Sequence, residues 1–432
     1  MTEHVLRGRV VTPERVLDDG VVAIEGDRIV WVGPAAEAPD AFTGTSPTST
    51  SPTSTTPTPT STPTSPTSPA SPTSPVRTYL PGLVDVHCHG GGGAGFPDSP
   101  DVATARRAAL EHLRHGTTSL VASLVTADLD TLLARTATLA ELADAGELAG
   151  IHLEGPFLSP ARCGAQDPVF MTDGRPDAVR RIAETAGGWL ATMTVAPDVA
   201  GVLGPDGVAA ALASAGALPS FGHTDATEAA MADALAQARA QLRAAPTARS
   251  GRPTVTHLFN GMAPWHHRVP GPVPAALAAA ARGDAVVELV ADGIHLAPGT
   301  VRAVFALVGA ANIALVTDAM AATGMPDGRY VLGPADVVVR DGVARLATAP
   351  GEPFEAGAIA GGTAHLLDVV RATVAAGVGL HDAVTAATAT PAAVLGRADV
   401  GALAPGLRAD VVEVDGDIRP LRVMRAGEWL YQ

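Results

Sequence analysis

The 432-residue sequence contains no lysine, so all 29 of its basic residues are arginines. The absence of lysine excludes a Walker A phosphate loop, a Schiff-base mechanism and a carbamylated-lysine metal bridge. Cys88 and Cys163 are the only cysteines, which argues against a disulfide framework and favours a reducing compartment. Neither a bilayer-spanning apolar run nor a secretory signal in MTEHVLRGRVV is visible. We therefore predict a cytoplasmic location and no membrane partner.

Positive charge is also scarce, since the formal net charge is −15 at pH 7. This balance argues against nucleic acid and anionic membranes as partners. An anionic small-molecule substrate would require a local cationic pocket. The apolar content of 47% is high enough to bury a sizeable core.

The composition divides the chain into three parts. Residues 1–44 and 397–432 contain short alternating strand patterns, and we predict that they pair into a small flanking β-sandwich domain. Residues 45–76 are almost only Thr, Ser and Pro, a composition that cannot bury apolar surface and predicts a disordered insert. Residues 77–396 alternate short β-branched runs with Ala/Leu/Arg-rich helical stretches.

Eight β-then-α units follow one another in this central part, and each short run ends in a polar cluster. Such a series predicts an α/β fold of the (β/α)₈ TIM-barrel class, in which catalytic residues lie at the C-terminal ends of the strands. The eight runs are GLVDVHCHG, TTSLVAS, LAGIHLEGP, LATMTVAPD, LPSFGHTDA, TVTHLFNG, VVELVADGIH and ANIALVTDAM.

Candidate metal ligands lie at the ends of five of these runs. His87 and His89 alternate along one strand, so both side chains leave the same face. An HxH pair alone is a weak signal, but imidazoles and carboxylates converging on one barrel mouth suit Zn²⁺, or Fe²⁺ as an alternative. The alternative interpretation is that these histidines only satisfy hydrogen bonds in the core. The further candidates are Glu154, His223, His257 and Asp318.

Two arrangements of these ligands remain open from the residues alone. Glu154 either bridges two ions or completes a mononuclear site with His223 and His257. Other histidines are predicted to be structural because their contexts are helical or peripheral, or because they lie in a lower layer of the barrel. They are His4, His112, His115, His152, His365 and His381.

The sequence resembles the amidohydrolase superfamily and, within it, the N-acetylglucosamine-6-phosphate deacetylases. EGPF, HLFN-x-M, ADGIH and TDAM in this order are specific to that family, whereas HxH marks only the superfamily. The matching blocks extend over nearly the whole chain outside the Thr/Ser/Pro insert. They include PGLVDVHCHGGGG, HLEGPFLSPARCGA, FGHTDAT, THLFNGM, HHRVPG, VADGIHL, LVTDAM, AIAGGT, ATATPAAVLG and GALAPGLRADVV.

The resemblance assigns roles to particular residues. It implies that Glu154, His223 and His257 bind a divalent metal, and the presence of His87 and His89 favours a second ion with Glu154 as the bridge, which gives one or two ions per subunit. Asp318 is implied to be the catalytic acid and base as well as a metal contact, and His295 to polarise the acetamide carbonyl. The resemblance also implies a homodimer. The implied substrate contacts are Ala165, Gln166, Asn260, Gly261, Arg268, His295, Ile359, Ala360 and Gly361.

The expected reaction is hydrolysis of the acetamide of N-acetyl-D-glucosamine 6-phosphate by a metal-activated water. Alternatives are deacylation of N-acetylgalactosamine 6-phosphate or an N-acyl amino acid, and a non-catalytic sugar-phosphate-binding barrel. Gln166, Gly261 and Val269 depart from the family pattern near the expected sugar site rather than at the metal. The hydrolytic chemistry is therefore better defined by the sequence than the identity of the sugar.

Overall fold

The computed structural model describes residues 4–42 and 77–431, and the predicted insert at 45–76 lies outside these residues. The described part contains twenty strands and ten α-helices. The strands are β1 His4–Val11, β2 Val16–Glu25, β3 Arg28–Pro34, β4 Thr78–Pro81, β5 Leu83–Cys88, β6 Gly90–Gly91, β7 Ala94–Gly95, β8 Thr117–Leu124, β9 Gly150–Glu154, β10 Leu190–Val195, β11 Leu218–Phe221, β12 Thr254–Val255, β13 Val286–Leu289, β14 Ile313–Leu315, β15 Gly328–Leu332, β16 Ala335–Arg340, β17 Val343–Leu346, β18 Val411–Val414, β19 Pro420–Arg425 and β20 Glu428–Tyr431.

The helices connect these strands and begin with recognisable caps. Side chains of Asp101, Asp128 and Thr227 accept hydrogen bonds from backbone N–H groups in the first turns of α1, α2 and α5. No helix in the described ranges has both the length and the apolar character needed to cross a bilayer. The helices are α1 Val102–Arg114, α2 Leu129–Asp144, α3 Pro176–Thr185, α4 Val208–Ser214, α5 Glu228–Ala244, α6 Val273–Ala281, α7 Pro298–Val308, α8 Leu366–Ala375, α9 Leu380–Ala387 and α10 Ala389–Val394.

Eight parallel strands form the barrel, in the order β5-β8-β9-β10-β11-β12-β13-β14. Each of the eight predicted runs overlaps one of these strands, so the (β/α)₈ prediction is confirmed. The strands are buried along their whole length because the barrel interior covers one face and helices cover the other. Large side chains such as Phe157 and Phe221 are fully buried in the surrounding layer.

The seam between the first and last strands closes beside the cluster of candidate ligands. Cys88 pairs with Ala319 in a parallel bridge, and the backbone N–H of Asp318 donates to the His87 carbonyl at 2.9 Å. The fully buried Asp85 accepts a hydrogen bond from the Thr317 hydroxyl at 2.6 Å. Burial raises the Asp85 pKa to about 7, although the Thr317 hydrogen bond opposes this rise. The seam therefore holds the two ends of the barrel in a defined register next to His87.

The terminal segments contribute strands to one seven-stranded sheet in the order β20-β19-β18-β4-β1-β2-β3, in which β4, from the range predicted for the barrel, separates the N-terminal from the C-terminal strands. Strand β4 lies in the middle of this sheet. It ends at Pro81, and the first barrel strand, β5, begins two residues later at Leu83. Apolar side chains including Val10, Ile24 and Met424 form its core. The buried Glu413 forms ion pairs with two arginines: Oε1 lies 2.7 Å from Nη1 of Arg77, and Oε2 lies 2.6 Å from Nη2 of Arg422.

A three-stranded antiparallel sheet, which the sequence patterns did not predict, follows the last barrel strand. It consists of β15, β16 and β17 and packs through Leu332, Val337, Val339 and Ala344 against Met320 and Ala360. Because this sheet stands between β14 and α8, it brings Leu332 to the mouth of the barrel.

Candidate functional site

All six predicted metal ligands lie at the C-terminal ends of barrel strands. Glu154 is the last residue of β9, and His223 and His257 follow β11 and β12 by two residues. His87 lies on β5 and His89 directly after it, while Asp318 follows β14 by three residues. The barrel topology thus collects side chains that are up to 231 positions apart in sequence, and their ligand atoms form two overlapping groups.

One group surrounds a single oxygen of Glu154. Its Oε1 lies 3.0 Å from Nε2 of His223 and 2.8 Å from Nε2 of His257. The two Nε2 atoms are themselves 3.2 Å apart. All three side chains are almost fully buried.

The second group surrounds the other oxygen. Glu154 Oε2 lies 3.2 Å from Nε2 of His89 and 3.9 Å from Nε2 of His87. Asp318 Oδ1 lies 3.2 and 3.4 Å from the same two nitrogens. Glu154 is therefore the one side chain common to both groups.

The electrostatics of the cluster favour a bound cation. Burial disfavours a charge on His87, but the surrounding carboxylates, Asp318 first among them, raise its pKa to about 10. Burial likewise opposes ionisation of Glu154, yet its histidine partners, with His223 foremost, hold its pKa well below the usual range. Buried carboxylates that favour protons on His87, His89 and His223 also attract a divalent ion that replaces those protons. The donor set of imidazole nitrogens and carboxylate oxygens thus fits a metal such as Zn²⁺.

Three of these ligands adopt a backbone conformation that non-glycine residues rarely occupy. His223, His257 and Asp318 have φ values of 45°, 25° and 48°, and nearby Phe259 has φ of 81°. Such conformations are strained and persist only where the surrounding structure imposes them, as at functional sites. Here the sharp turn after each strand redirects the side chain toward the barrel axis.

A cavity of about 240 Å³ opens above the cluster. Besides five of the candidate metal ligands, it is lined by most of the predicted substrate contacts and by three residues that the sequence reasoning missed. The predicted contacts are Ala165, Gln166, Asn260, Gly261, His295, Ile359 and Gly361. The missed residues are Gly164, Leu332 and Ala358.

Two predicted substrate contacts do not line this cavity. Ala360 is fully buried, and its N–H donates to the Ala344 carbonyl at 3.0 Å, so it supports the two lining residues beside it. Arg268 lies in an exposed loop with Trp265 and Val269, which are 53% and 72% exposed. The described residues that line the cavity include no arginine. Within one chain, the structure therefore does not bring Arg268 to the cavity.

His295 is oriented by a residue that the sequence reasoning did not single out. Its Nδ1 donates to Oδ2 of Asp292 at 2.8 Å, and its backbone N–H donates to Oδ1 at the same distance. The Asp292 pKa is lowered because His295 and backbone N–H groups outweigh the effect of burial. This pair holds the imidazole at the cavity wall and leaves Nε2 available to a bound molecule.

Gln166 contacts a metal-ligand candidate as well as lining the cavity. Its Nε2 donates to Glu154 Oε2 at 2.6 Å, and its Oε1 accepts from the backbone N–H of Thr126 at 2.8 Å. With the side chain buried, this amide fixes the orientation of the shared carboxylate.

Beneath the cluster, the barrel interior contains a hydrogen-bonded polar layer. His152 contacts Ser123 Oγ at 2.9 Å and Thr194 Oγ1 at 2.8 Å, so both ring nitrogens have partners. Thr194 and Ser220 both contact Thr256. The arrangement agrees with a structural role for His152.

A separate histidine group lies around the C-terminal end of α1. His365 contacts Glu111 Oε1 through Nε2 at 2.9 Å and Asp368 Oδ2 through Nδ1 at 3.3 Å. His115 stacks on His365 with a centroid separation of 3.6 Å and an interplanar angle of 17°. The nitrogen lone pairs of an imidazole lie in the plane of its ring. The nearly parallel rings of His115 and His365 therefore do not direct their lone pairs at a common metal position. We interpret this group as a set of ion pairs rather than a metal site.

Comparison with known proteins identifies the family. A profile described as "Amidohydrolase family" matches residues 78–430. The chain belongs to the amidohydrolase family. A second profile, "Imidazolonepropionase-like composite domain, bacteria", matches residues 20–44, a range that includes the end of β2 and all of β3.

Relatives of this amidohydrolase include deacetylases of two amino-sugar phosphates. The N-acetylglucosamine-6-phosphate deacetylase of Bacillus subtilis (strain 168) is 34% identical over 278 residues, which cover 62% of this chain and 64% of the relative. The N-acetylgalactosamine-6-phosphate deacetylase of Shewanella sp. (strain ANA-3) is 32% identical over 82% of this chain and 84% of its own length.

A solved structure resembles this amidohydrolase over both full chains. It is a mutant of N-acetyl-D-glucosamine-6-phosphate deacetylase from Mycobacterium smegmatis in complex with N-acetyl-D-glucosamine-6-phosphate. It is 36% identical to this chain, covers 100% of each chain and has a TM-score of 0.80. The resemblance inferred from the sequence blocks is therefore confirmed.

Proposed function

We propose that this amidohydrolase hydrolyses the acetamide of N-acetyl-D-glucosamine 6-phosphate to give D-glucosamine 6-phosphate and acetate, in amino-sugar catabolism. One observation carries the proposal: five of the six members of the two ligand groups that share Glu154, including Asp318, line a single cavity together with His295. The full-length similarity to a deacetylase solved with that sugar phosphate supports the choice of substrate.

The metal would be held by Glu154, His223 and His257, with a second ion held by Glu154, His87, His89 and Asp318. Imidazole and carboxylate ligands favour Zn²⁺, with Fe²⁺ as the alternative. When bound, the cation lowers the pKa of a water molecule and polarises a carbonyl group. A mononuclear site at Glu154, His223 and His257 is the simpler alternative.

Asp318 and His295 perform the proton transfer and the orientation of the substrate. The Asp318 carboxylate lies at the cavity wall, where it accepts a proton from the attacking water and returns it to the departing amine. Interactions with His87 and His89 outweigh burial and lower the Asp318 pKa, so the base is ionised at neutral pH. His295, held by Asp292, contacts the acetamide carbonyl and stabilises the charge that develops on its oxygen.

The sugar is proposed to contact Ala165, Gln166, Asn260 and the segment Ile359 to Gly361, with Ala360 supporting that segment from behind. Gly261 has φ of 60°, and a Cβ there would lie 2.8 Å from His223 Nδ1, so glycine suits this position. These residues leave the phosphate without a cationic partner in the cavity. Arg268 is proposed to supply it, because a guanidinium offers paired donors to phosphate oxygens.

The exposed loop around Arg268 supports a homodimer in which each subunit completes the phosphate site of the other. Trp265 and Val269 would be covered by such an interface. Co-expression of Arg268→Ala and Asp318→Asn chains tests this directly. Shared sites should recover about a quarter of the wild-type activity, the share that random pairing leaves intact. No recovery in hybrid dimers would show that Arg268 serves its own chain.

The function is tested by following acetate release from N-acetylglucosamine 6-phosphate with the metal-loaded protein. We expect release that requires both metal and the phosphate, with the unphosphorylated sugar as control. N-acetylgalactosamine 6-phosphate is included as a second substrate because one relative, which aligns with 82% of this chain, is an N-acetylgalactosamine-6-phosphate deacetylase. Faster release from that epimer would reassign the substrate, and an N-acyl amino acid series covers the remaining hydrolase alternative. Tight binding of the sugar phosphate without any release would favour a non-catalytic barrel.

We also propose that the enzyme works in the cytoplasm. Both cysteines are free, and Cys88 Sγ is buried beside His112, so the chain contains no disulfide that an oxidising compartment would maintain.

A further inference from the structure

Glu288 is a buried carboxylate on β13 to which the expected chemistry assigns no role. Only 2% of its surface is exposed, and its side chain points into the barrel interior. Its Oε2 lies 3.1 Å from Nδ1 of His87 and accepts a hydrogen bond from the backbone N–H of His257 at 3.3 Å. One carboxylate therefore contacts a residue from each of the two ligand groups.

The four candidate histidine ligands differ in what their Nδ1 atoms contact. His89 and His223 donate to the backbone carbonyls of Ser123 and Arg162 at 3.2 and 2.8 Å. His257 Nδ1 is buried without a hydrogen-bond partner among the described residues. His87 is the one member of the four whose Nδ1 contacts a carboxylate.

A carboxylate at Nδ1 has two physical consequences for His87. It fixes the tautomer with hydrogen on Nδ1, which leaves the Nε2 lone pair directed at Asp318 and Glu154. It also increases the electron density on the ring and so strengthens the bond from Nε2 to a cation. In addition, it adds a third carboxylate to a buried region that would receive two divalent ions.

From this geometry we propose that Glu288 is a positioning residue that makes the group of His87, His89, Glu154 and Asp318 competent to bind a second cation. Glu288 contacts the first group, Glu154 with His223 and His257, only at the backbone N–H of His257 and at none of its ligand atoms. The inference rests on the proposed function only in taking the cluster to be a metal site.

The test is a titration of metal-stripped protein with Zn²⁺ alone, with calorimetry for affinity and elemental analysis for stoichiometry. Wild-type protein should bind two ions. Glu288→Gln is nearly isosteric but uncharged, and it should weaken the second binding event by about 10- to 100-fold while leaving the first unchanged. Glu288→Asp, which retains the carboxylate, should restore part of the lost affinity.

Glu413→Gln is the matched control, since Glu413 is an equally buried glutamate with charged partners in the terminal sheet. It should leave both Zn²⁺ affinities unchanged, and circular dichroism of each stripped variant checks its fold. Retention of both affinities in Glu288→Gln, or a single ion in the wild type, would overturn the inference. Either result leaves the deacetylase proposal standing, whereas two bound ions without acetate release would remove the deacetylase proposal and not this one.

Discussion

The barrel mouth and the C-terminal end of α1 each contain several histidines, yet the two groups are built on different principles. At the mouth, Nε2 atoms of four imidazoles crowd around the two oxygens of Glu154. At the end of α1, His365 is placed between Glu111 and Asp368, each of which pairs with a different ring nitrogen. Convergence on shared oxygens favours a divalent ion, whereas separate pairing satisfies each group without one. The number of histidines alone would not separate these two cases.

Substitution of Asp318 by Asn should give the largest effect in the molecule. We expect acetate release to fall by about 10²- to 10⁴-fold, because the amide cannot accept the proton of the attacking water. His365→Gln, in the other group, should change kcat by less than about twofold. Steady-state kinetics of both variants, with metal content measured in parallel, checks this contrast. An equal loss in the two variants would contradict the division between the groups.

Removal of the metal should destabilise the mouth. A ligand that binds only the folded state at 100 times its Kd adds about 2.7 kcal/mol to the free energy of unfolding. Chelation should remove this contribution in wild-type protein and in His365→Gln, but not in Glu154→Gln, where both groups have already lost their shared carboxylate. Chemical denaturation of each protein with and without chelator measures the metal's contribution to the free energy of unfolding. A chelator effect that disappears in His365→Gln instead would place the ion at α1.

Gln166→Ala should have an intermediate effect. It removes the donor to Glu154 Oε2 and leaves the backbone N–H of Thr126 buried without a partner. A charge-assisted hydrogen bond of this kind contributes about 1.5–3 kcal/mol, so we expect about a 10- to 100-fold loss in kcat/KM. Gln166→Glu is the paired variant, since a second carboxylate beside Glu154 should repel it and give at least the same loss. Unchanged kinetics in both would leave Gln166 with a role in lining the cavity only.

The smallest expected effect is the pH-dependent stability of the α1 group. Burial disfavours a charge on His365, but Asp368 and Glu111 raise its pKa above the usual value. Burial would raise the Asp368 pKa, but His365 lowers it to about 2. The neighbouring His112 has a pKa lowered to about 4 by burial and by the charge on His365, so it adds no charge near neutrality.

The sign of this dependence follows from the directions of the shifts. The raised His365 pKa adds stability that is fully present below about pH 6.5 and is lost as pH rises through the folded-state value. The lowered carboxylate pKa values add stability above about pH 4 that is lost in acid. His365→Gln should therefore cost about 1 kcal/mol near pH 6, allowing for partial exposure, and less at pH 9. Thermal melts at pH 6 and pH 9, with the half-buried His381→Gln as a control, measure the difference. A cost that is the same at both pH values would contradict the prediction.

The strand ends that bear the candidate ligands were predictable, because polar residues that interrupt buried β-branched runs have few places to lie in a parallel barrel. His87, Glu154 and Asp318 follow this logic. Glu288 and Asp292 did not stand out, since a single carboxylate in or after a strand has no local pattern that reveals its partner. Their roles depend on His87 and His295, and Glu288 and His87 are 201 positions apart in sequence.

The sequence alone determined the class of fold, the strand character of the terminal segments and the type of chemistry at the barrel mouth. Hydrophobic periodicity and residue type express these properties locally, without knowledge of long-range contacts. Only the tertiary structure decided which oxygen of Glu154 serves which histidines, that Gln166 orients that carboxylate, and that Arg268 lies away from the cavity of its own chain. These properties depend on distances of a few ångströms between distant segments and on strained turns at His223, His257 and Asp318, which are imposed by the closed barrel.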